Sequence, residues 1–90
     1  ADLFISDISN YEIPPGKICI YIFNPFGEKK MKEMLFKINN RKDDTLILYF
    51  NPKHSHLFDP RHLIKEFIWH NFGLYEEKCH AYLVPGKGNP

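Results

Sequence analysis

The sequence predicts an α/β fold, and three observations carry that expectation. Two runs, Ile18–Phe23 and Thr45–Phe50, are almost continuously apolar and rich in β-branched and aromatic residues. Both runs stop at an Asn-Pro pair, Asn24-Pro25 and Asn51-Pro52. Between them lies a stretch with helical periodicity. Continuous rather than alternating apolarity is the habit of parallel strands covered on both faces. Strand, amphipathic helix and strand within Ile18–Pro52 make a β-α-β unit, whose crossover is right-handed in nearly every case.

Taken in order, the chain opens on a strand-like run, Leu3–Ser6, followed at once by Asp7. Tyr11–Lys17 reads as a turn-rich connection, because Pro14 and Pro15 cannot donate to a ladder and Gly16 frees the backbone. Gly27–Asn40 is the helix: Met31, Met34, Leu35 and Ile38 recur at i, i+3, i+4 and i+7, with Lys and Glu over most of the other side. Glu28 in its first turn and Lys37 in its last suit the helix dipole. Asn39-Asn40 ends it, and Arg41–Asp44 makes a polar turn before the second strand. Ile20–Phe26 and Ile47–Lys53 read alike, as one structural job done twice.

The last third admits two readings. Asp59-Pro60 has the form of an N-cap and first-turn proline, and Leu63, Ile64, Phe67 and Ile68 fall at helical spacing. Phe67–His70 equally suits a strand. Cys79–Val84 is strand-like, and residues 84–90 are expected as a loose tail.

Ninety residues bound the chain to a single partial or small domain, 1–90, burying about 60–65% of its unfolded surface. With 43% hydrophobic and 16% aromatic residues, disorder does not fit. The net charge of +1 and the mixing of both signs give no reason to expect nucleic acid. The one dense basic cluster, Lys29, Lys30 and Lys32, falls on the solvent side of the helix. No apolar run reaches the roughly 18 residues of a membrane span, and no signal peptide opens the chain. Cys19 and Cys79 stand outside metal or redox spacings and are expected as free thiols in a reducing, cytoplasmic setting.

Ligands of open α/β sheets bind at the carboxyl ends of the strands, where Asp7, Asn24, Pro25, Phe26, Asn51 and Pro52 all fall. Asn51-Pro52 reads best as a strand terminator. Asn24, followed by Phe26 and a helix start, is balanced between that role and a ligand contact. His54-x-His56 lacks a third ligand at a fitting interval, so no metal is expected. Nucleophile motifs, Walker patterns and Gly-rich phosphate loops are not found, and Gly86-Lys87-Gly88 lies too near the end to cradle a ligand.

The order Asp7…Tyr11-Glu12-Ile13-Pro14, then Ile18–Phe23 leading into Asn24-Pro25-Phe26-Gly27, then helix, strand and Asn51-Pro52-x-His54, resembles the C-terminal half of bacterial class I S-adenosylmethionine-dependent methyltransferases. The resemblance covers nearly the whole chain, most specifically Asp7 to His54. It implies a Rossmann-like methyltransferase C-terminal half, α/β, with strands 3-4-5-6-7, a β-α-β unit and a closing hairpin. In that family the sheet order is 3-2-1-4-5-7-6. Leu3–Ser6 would be strand 3, Ile18–Phe23 strand 4 and Thr45–Phe50 strand 5. Ile64–His70 and Cys79–Val84 would be strands 6 and 7, which favours a strand over a helix for the former.

The resemblance also implies a site. Asp7, with its neighbour Ile8, matches the acidic position that contacts the adenine of S-adenosylmethionine, and Asn24 borders the same cofactor. Asn24-Pro25-Phe26 stands where amino-methylating members carry Asn-Pro-Pro-Tyr/Phe to hold the target nitrogen. One proline is missing here, so the methyl acceptor does not carry over. The family's glycine-rich loop and ribose-binding acid would lie upstream of Ala1, so the 90 residues are expected as a fragment, inactive by themselves. Strand 18–23 would then be a bare edge and drive homo-oligomerisation. The alternative is a small non-catalytic α/β interaction module that docks a partner protein on a strand edge.

Overall fold

The two continuous apolar runs form neighbouring parallel strands joined through the helix, as their composition dictates. The computed structural model describes residues 2–5, 13–23, 27–71 and 75–88. Strand β1 is Asp2–Ile5, β2 Ile18–Ile22, helix α1 Glu28–Asn39, β3 Thr45–Phe50, β4 Leu63–Asn71 and β5 Tyr75–Val84. They build one five-stranded sheet in the order β1-β2-β3-β5-β4. β1, β2 and β3 are parallel, and β5 runs antiparallel between β3 and β4.

Two expectations change, and one open choice is decided. Strand 18–23 is no edge: Leu3 pairs with Ile20 on one side and Ile47 with Ile20 on the other. An apolar strand with open hydrogen-bonding groups is satisfied by the nearest available strand, and β1 takes that place. That edge of β2 is thus occupied by β1 within the chain. Of the two readings left open for the last third, the strand that the resemblance favoured is the one formed, as β4. Asp59 does cap, its carboxylate accepting from the Arg61 N–H at 2.9 Å, but the turn it starts is a single 3-10 turn, Pro60–His62. The β-branched and aromatic run behind it is then drawn into a nine-residue strand by pairing with β5.

The second correction concerns the C-terminal segment, which is tied down through Gly88. The Gly86 N–H donates to Asp44 Oδ1 at 2.8 Å, and Lys87 and Gly88 N–H groups donate to the Arg41 and Lys42 carbonyls at 2.9 Å each. The polar turn 41–44 thus acts as a clasp. Asp43 also accepts from the Gly16 N–H at 2.9 Å, where a φ of 97° explains the glycine. Arg41 donates to the Pro14 and Gly16 carbonyls and to the buried Thr45 hydroxyl.

The core lies between α1 and one face of the sheet. Met31, Met34, Leu35 and Ile38 meet Ile18, Ile20, Ile22, Ile47, Tyr49, Tyr82 and Val84, with Phe58 closing one end. Strand alternation sends Cys19, Tyr21, Leu46, Leu48, Phe50 and Leu83 to the opposite face. No described helix covers that face, and Leu83 is 41% exposed. Cover on both faces, expected from the continuous apolarity, is met on one side only by the described elements. Among the described residues, no helix is long and apolar enough to cross a membrane.

Candidate functional site

β1, β2 and β3 end in register at Ile5, Ile22 and Tyr49, so their carboxyl ends share one edge of the sheet. Asp7, Ile8, Asn24, Pro25 and Phe26, the residues expected to form the site, lie outside the described residues. What the structure does describe at this edge is its β3 end. There Asn51 adopts a φ of 52°, a left-handed conformation that Asn tolerates better than most residues. Its N–H donates to the Lys78 carbonyl at 2.7 Å, prolonging the ladder by one bond, which suits the terminator role.

The β4–β5 hairpin runs past the end of β3, since Phe50 pairs with Cys79 while β4 and β5 continue pairing out to Asn71 and Tyr75. The overhang and the loop after β3 enclose an open pocket of about 310 Å³. Asn51, Lys53 and Ser55 line one side, and Glu66, Glu76, Lys78 and His80 the other. Glu76 Oε1 lies 3.5 Å from the Lys78 ammonium, and Glu76 Oε2 3.8 Å from His70 Nε2.

His80 is the best-connected group here. Its Nδ1 is 2.9 Å from the Tyr82 hydroxyl and its Nε2 is 2.5 Å from Glu66 Oε2. A neutral phenol donating to Nδ1 leaves Nε2–H to donate to the carboxylate, which satisfies both contacts with one tautomer. With both ring nitrogens engaged, His80 braces β4 against β5 rather than standing as an open base. The other polar residues lining the pocket are Asn51, with its amide, Lys53, with its ammonium, Ser55, with its hydroxyl, and Glu66 itself. They suit a small polar group carrying both donors and acceptors.

Burial pushes the Tyr82 hydroxyl up to about 12, helped by the charges of Tyr49 and Glu66. Tyr49 is raised as well, through burial, against backbone hydrogen bonds from His54 and Lys53 that lower it. A raised phenol favours its neutral form in the fold. Tyr82 therefore stabilises fully below pH 10, and that contribution is lost as pH rises from 10 through about 12. Two units correspond to about 3 kcal/mol. Urea titrations at rising pH should show the Tyr82→Phe chain losing less stability above pH 10 than the parent; equal losses would refute this assignment.

On the uncovered face, a row of rings crosses three strands at the same edge. Phe23 stacks on Phe50 at 4.9 Å, and Phe50 meets Trp69 edge-on at 6.5 Å. The Trp69 indole N–H donates to Glu77 at 2.7 Å. His54 and His56 bring their rings within 6.0 Å, but among the described residues no three metal-binding side chains gather. Both cysteines are free thiols, and burial raises the Cys79 thiol.

Sequence reasoning missed the pocket's far wall. Glu66 and His80 stand fourteen positions apart and meet only through the β4–β5 register. The available signal was a polar residue inside each apolar run, Glu66 beside Phe67-Ile68 and His80 between Cys79 and Ala81. Comparison of the chain with known protein families, with curated proteins and with solved structures returns no match.

Proposed function

We propose that this chain is the C-terminal half of a class I S-adenosylmethionine-dependent methyltransferase, contributing the acceptor side of the site. The observation that carries the reading is the strand order. β2-β3-β5-β4 reproduces the 4-5-7-6 segment of the family's sheet, with the last strand antiparallel and inserted between the two before it. The helix between β2 and β3 sits where the β-α-β resemblance requires it. One departure is plain: β1 pairs directly with β2, the place that the family gives to its first strand. The polar pocket beyond β3 adjoins the same edge and would take part of the methyl acceptor.

The test is titration of S-adenosylmethionine into the isotope-labelled chain, followed by amide resonances. Expected is weak binding that moves Phe23, Gly27 and Asn51 and leaves Arg41–Asp44 at the opposite edge unmoved. Shifts absent from the carboxyl edge at high cofactor concentration would overturn the reading. Turnover by these 90 residues would overturn the half-site assignment. The uncovered apolar face favours a second reading, a non-catalytic module whose partner covers that face; binding of a partner there without cofactor binding would support it.

A further inference from the structure

The outer side of β4 is paired with nothing among the described residues. β4 is nine residues long and bonds to β5 alone. Its pairing with β5 is regular from Lys65 to Asn71, the one irregularity lying between Leu63 and Lys65. It carries no proline in that stretch. Its large apolar residues are exposed on both faces: Ile68 at 51%, Phe67 at 42% and Trp69 at 38%. Edge strands of soluble proteins are ordinarily short, bulged, charged or interrupted by proline; β4 is irregular or charged only up to Glu66, and the run Phe67–Trp69 beyond it is regular and apolar, a template for another strand.

We propose that this edge seats a second copy of the chain, the two β4 strands pairing antiparallel about a two-fold axis at Ile68. The inference is independent of any catalytic reading. The occupant follows from self-complementarity. A two-fold through the sheet pairs only residues that point to the same face, so the axis must pass through a residue, not between two. An axis at Lys65 sets ammonium against ammonium, and one at Glu66 sets carboxylate against carboxylate, both unfavourable. An axis at Phe67 sets Glu66 against the aliphatic Ile68 of the second copy. An axis at Ile68 opposes Ile68 to Ile68, Phe67 to Trp69 and Glu66 to His70, each pair alike in polarity or able to hydrogen-bond. Of the four registers centred on Lys65, Glu66, Phe67 and Ile68, the last matches the edge to itself best.

Sedimentation equilibrium from micromolar to millimolar chain tests this. A monomer–dimer equilibrium is expected, and Ile68→Lys, which sets two ammonium groups face to face, should weaken it roughly tenfold or more. The exposure of Ile68 lets the fold tolerate the change, which circular dichroism checks. Register is read by a short bismaleimide in a Cys19→Ser background. Ile68→Cys should cross-link between copies, whereas Ile64→Cys, with the two positions roughly 27 Å apart along the strands, should not. A monomer at every concentration, a dimer indifferent to Ile68→Lys, or equal cross-linking at both positions would overturn the proposal. So would a monomer that pairs only with an unrelated strand.

Discussion

Replacing Tyr49 by alanine should cost about 3–5 kcal/mol, the range for deleting a fully buried aromatic ring. Tyr49 is wholly inaccessible, sits at the centre of the sheet and packs its ring 5.5 Å from Phe58. Phe58 in turn stacks at 4.1 Å on Tyr82, so the cavity would open beneath the loop that walls the pocket. A domain of this size has a total stability of the same order, so much of the chain should be unfolded at ambient temperature. Tyr49→Phe separates ring from hydroxyl. It leaves the His54 N–H, now 3.1 Å from the phenol oxygen, without that acceptor, for a loss of about 1 kcal/mol. Urea denaturation of both variants measures the difference, and similar losses would refute the packing account.

Gly86→Ala should be the second most damaging change, although it adds one methyl group near the end of the described chain. A Cβ there would stand 2.0 Å from the Lys42 carbonyl oxygen and 2.5 Å from the Asp43 carbonyl carbon. Both are backbone, within the clasp that also holds Gly16, so neither can step aside cheaply. Either the tail detaches, losing three backbone N–H hydrogen bonds and that of the Lys87 ammonium to Asn40, or the turn deforms; overpacking of this kind costs about 1–3 kcal/mol. For a domain of this length each kcal/mol lowers Tm by roughly 4–8 °C. Gly88→Ala is the control. It meets no neighbour but has a φ of 63°, so its cost should be about 1 kcal/mol, from backbone strain alone. Equal melting temperatures for the two variants would show that the close approach at Gly86 is unimportant.

The elements with continuous or periodic apolarity were legible to within about a residue at each end. Helix α1 occupies Glu28–Asn39 against an expected 27–40, and β3 spans the run Thr45–Phe50 itself. β5 was not, beginning at Tyr75 rather than Cys79. Glu76, Glu77 and Lys78 belong to the part that overhangs β3, where Glu76 and Lys78 are exposed and no apolar alternation marks the strand. Pairing was the least legible feature. That Asp2–Ile5 lies against Ile18–Ile22 depends on contacts between distant segments that no local pattern encodes, and the outer place of Leu63–Asn71 was expected only through the family resemblance. The same holds for the pocket. Asn51 was recognised at a strand end, but Glu66 and His80 come together only once the hairpin has formed. The C-terminal segment looked loose because its hydrogen bonds are made by backbone groups, on which composition is silent.

The insertion of β5 between β3 and β4 has a consequence for how the chain is made. β4 emerges from the ribosome before β5, yet among the described residues β5 is its only neighbour in the sheet. Until residues 75–84 are synthesised, β3 presents an open apolar edge and β4 has nothing to pair with. Parallel pairing of those two in the wrong place would leave no slot for the strand that belongs between them. Synthesis therefore passes through an interval of exposed strand edges, the condition in which nascent chains are most prone to misassembly.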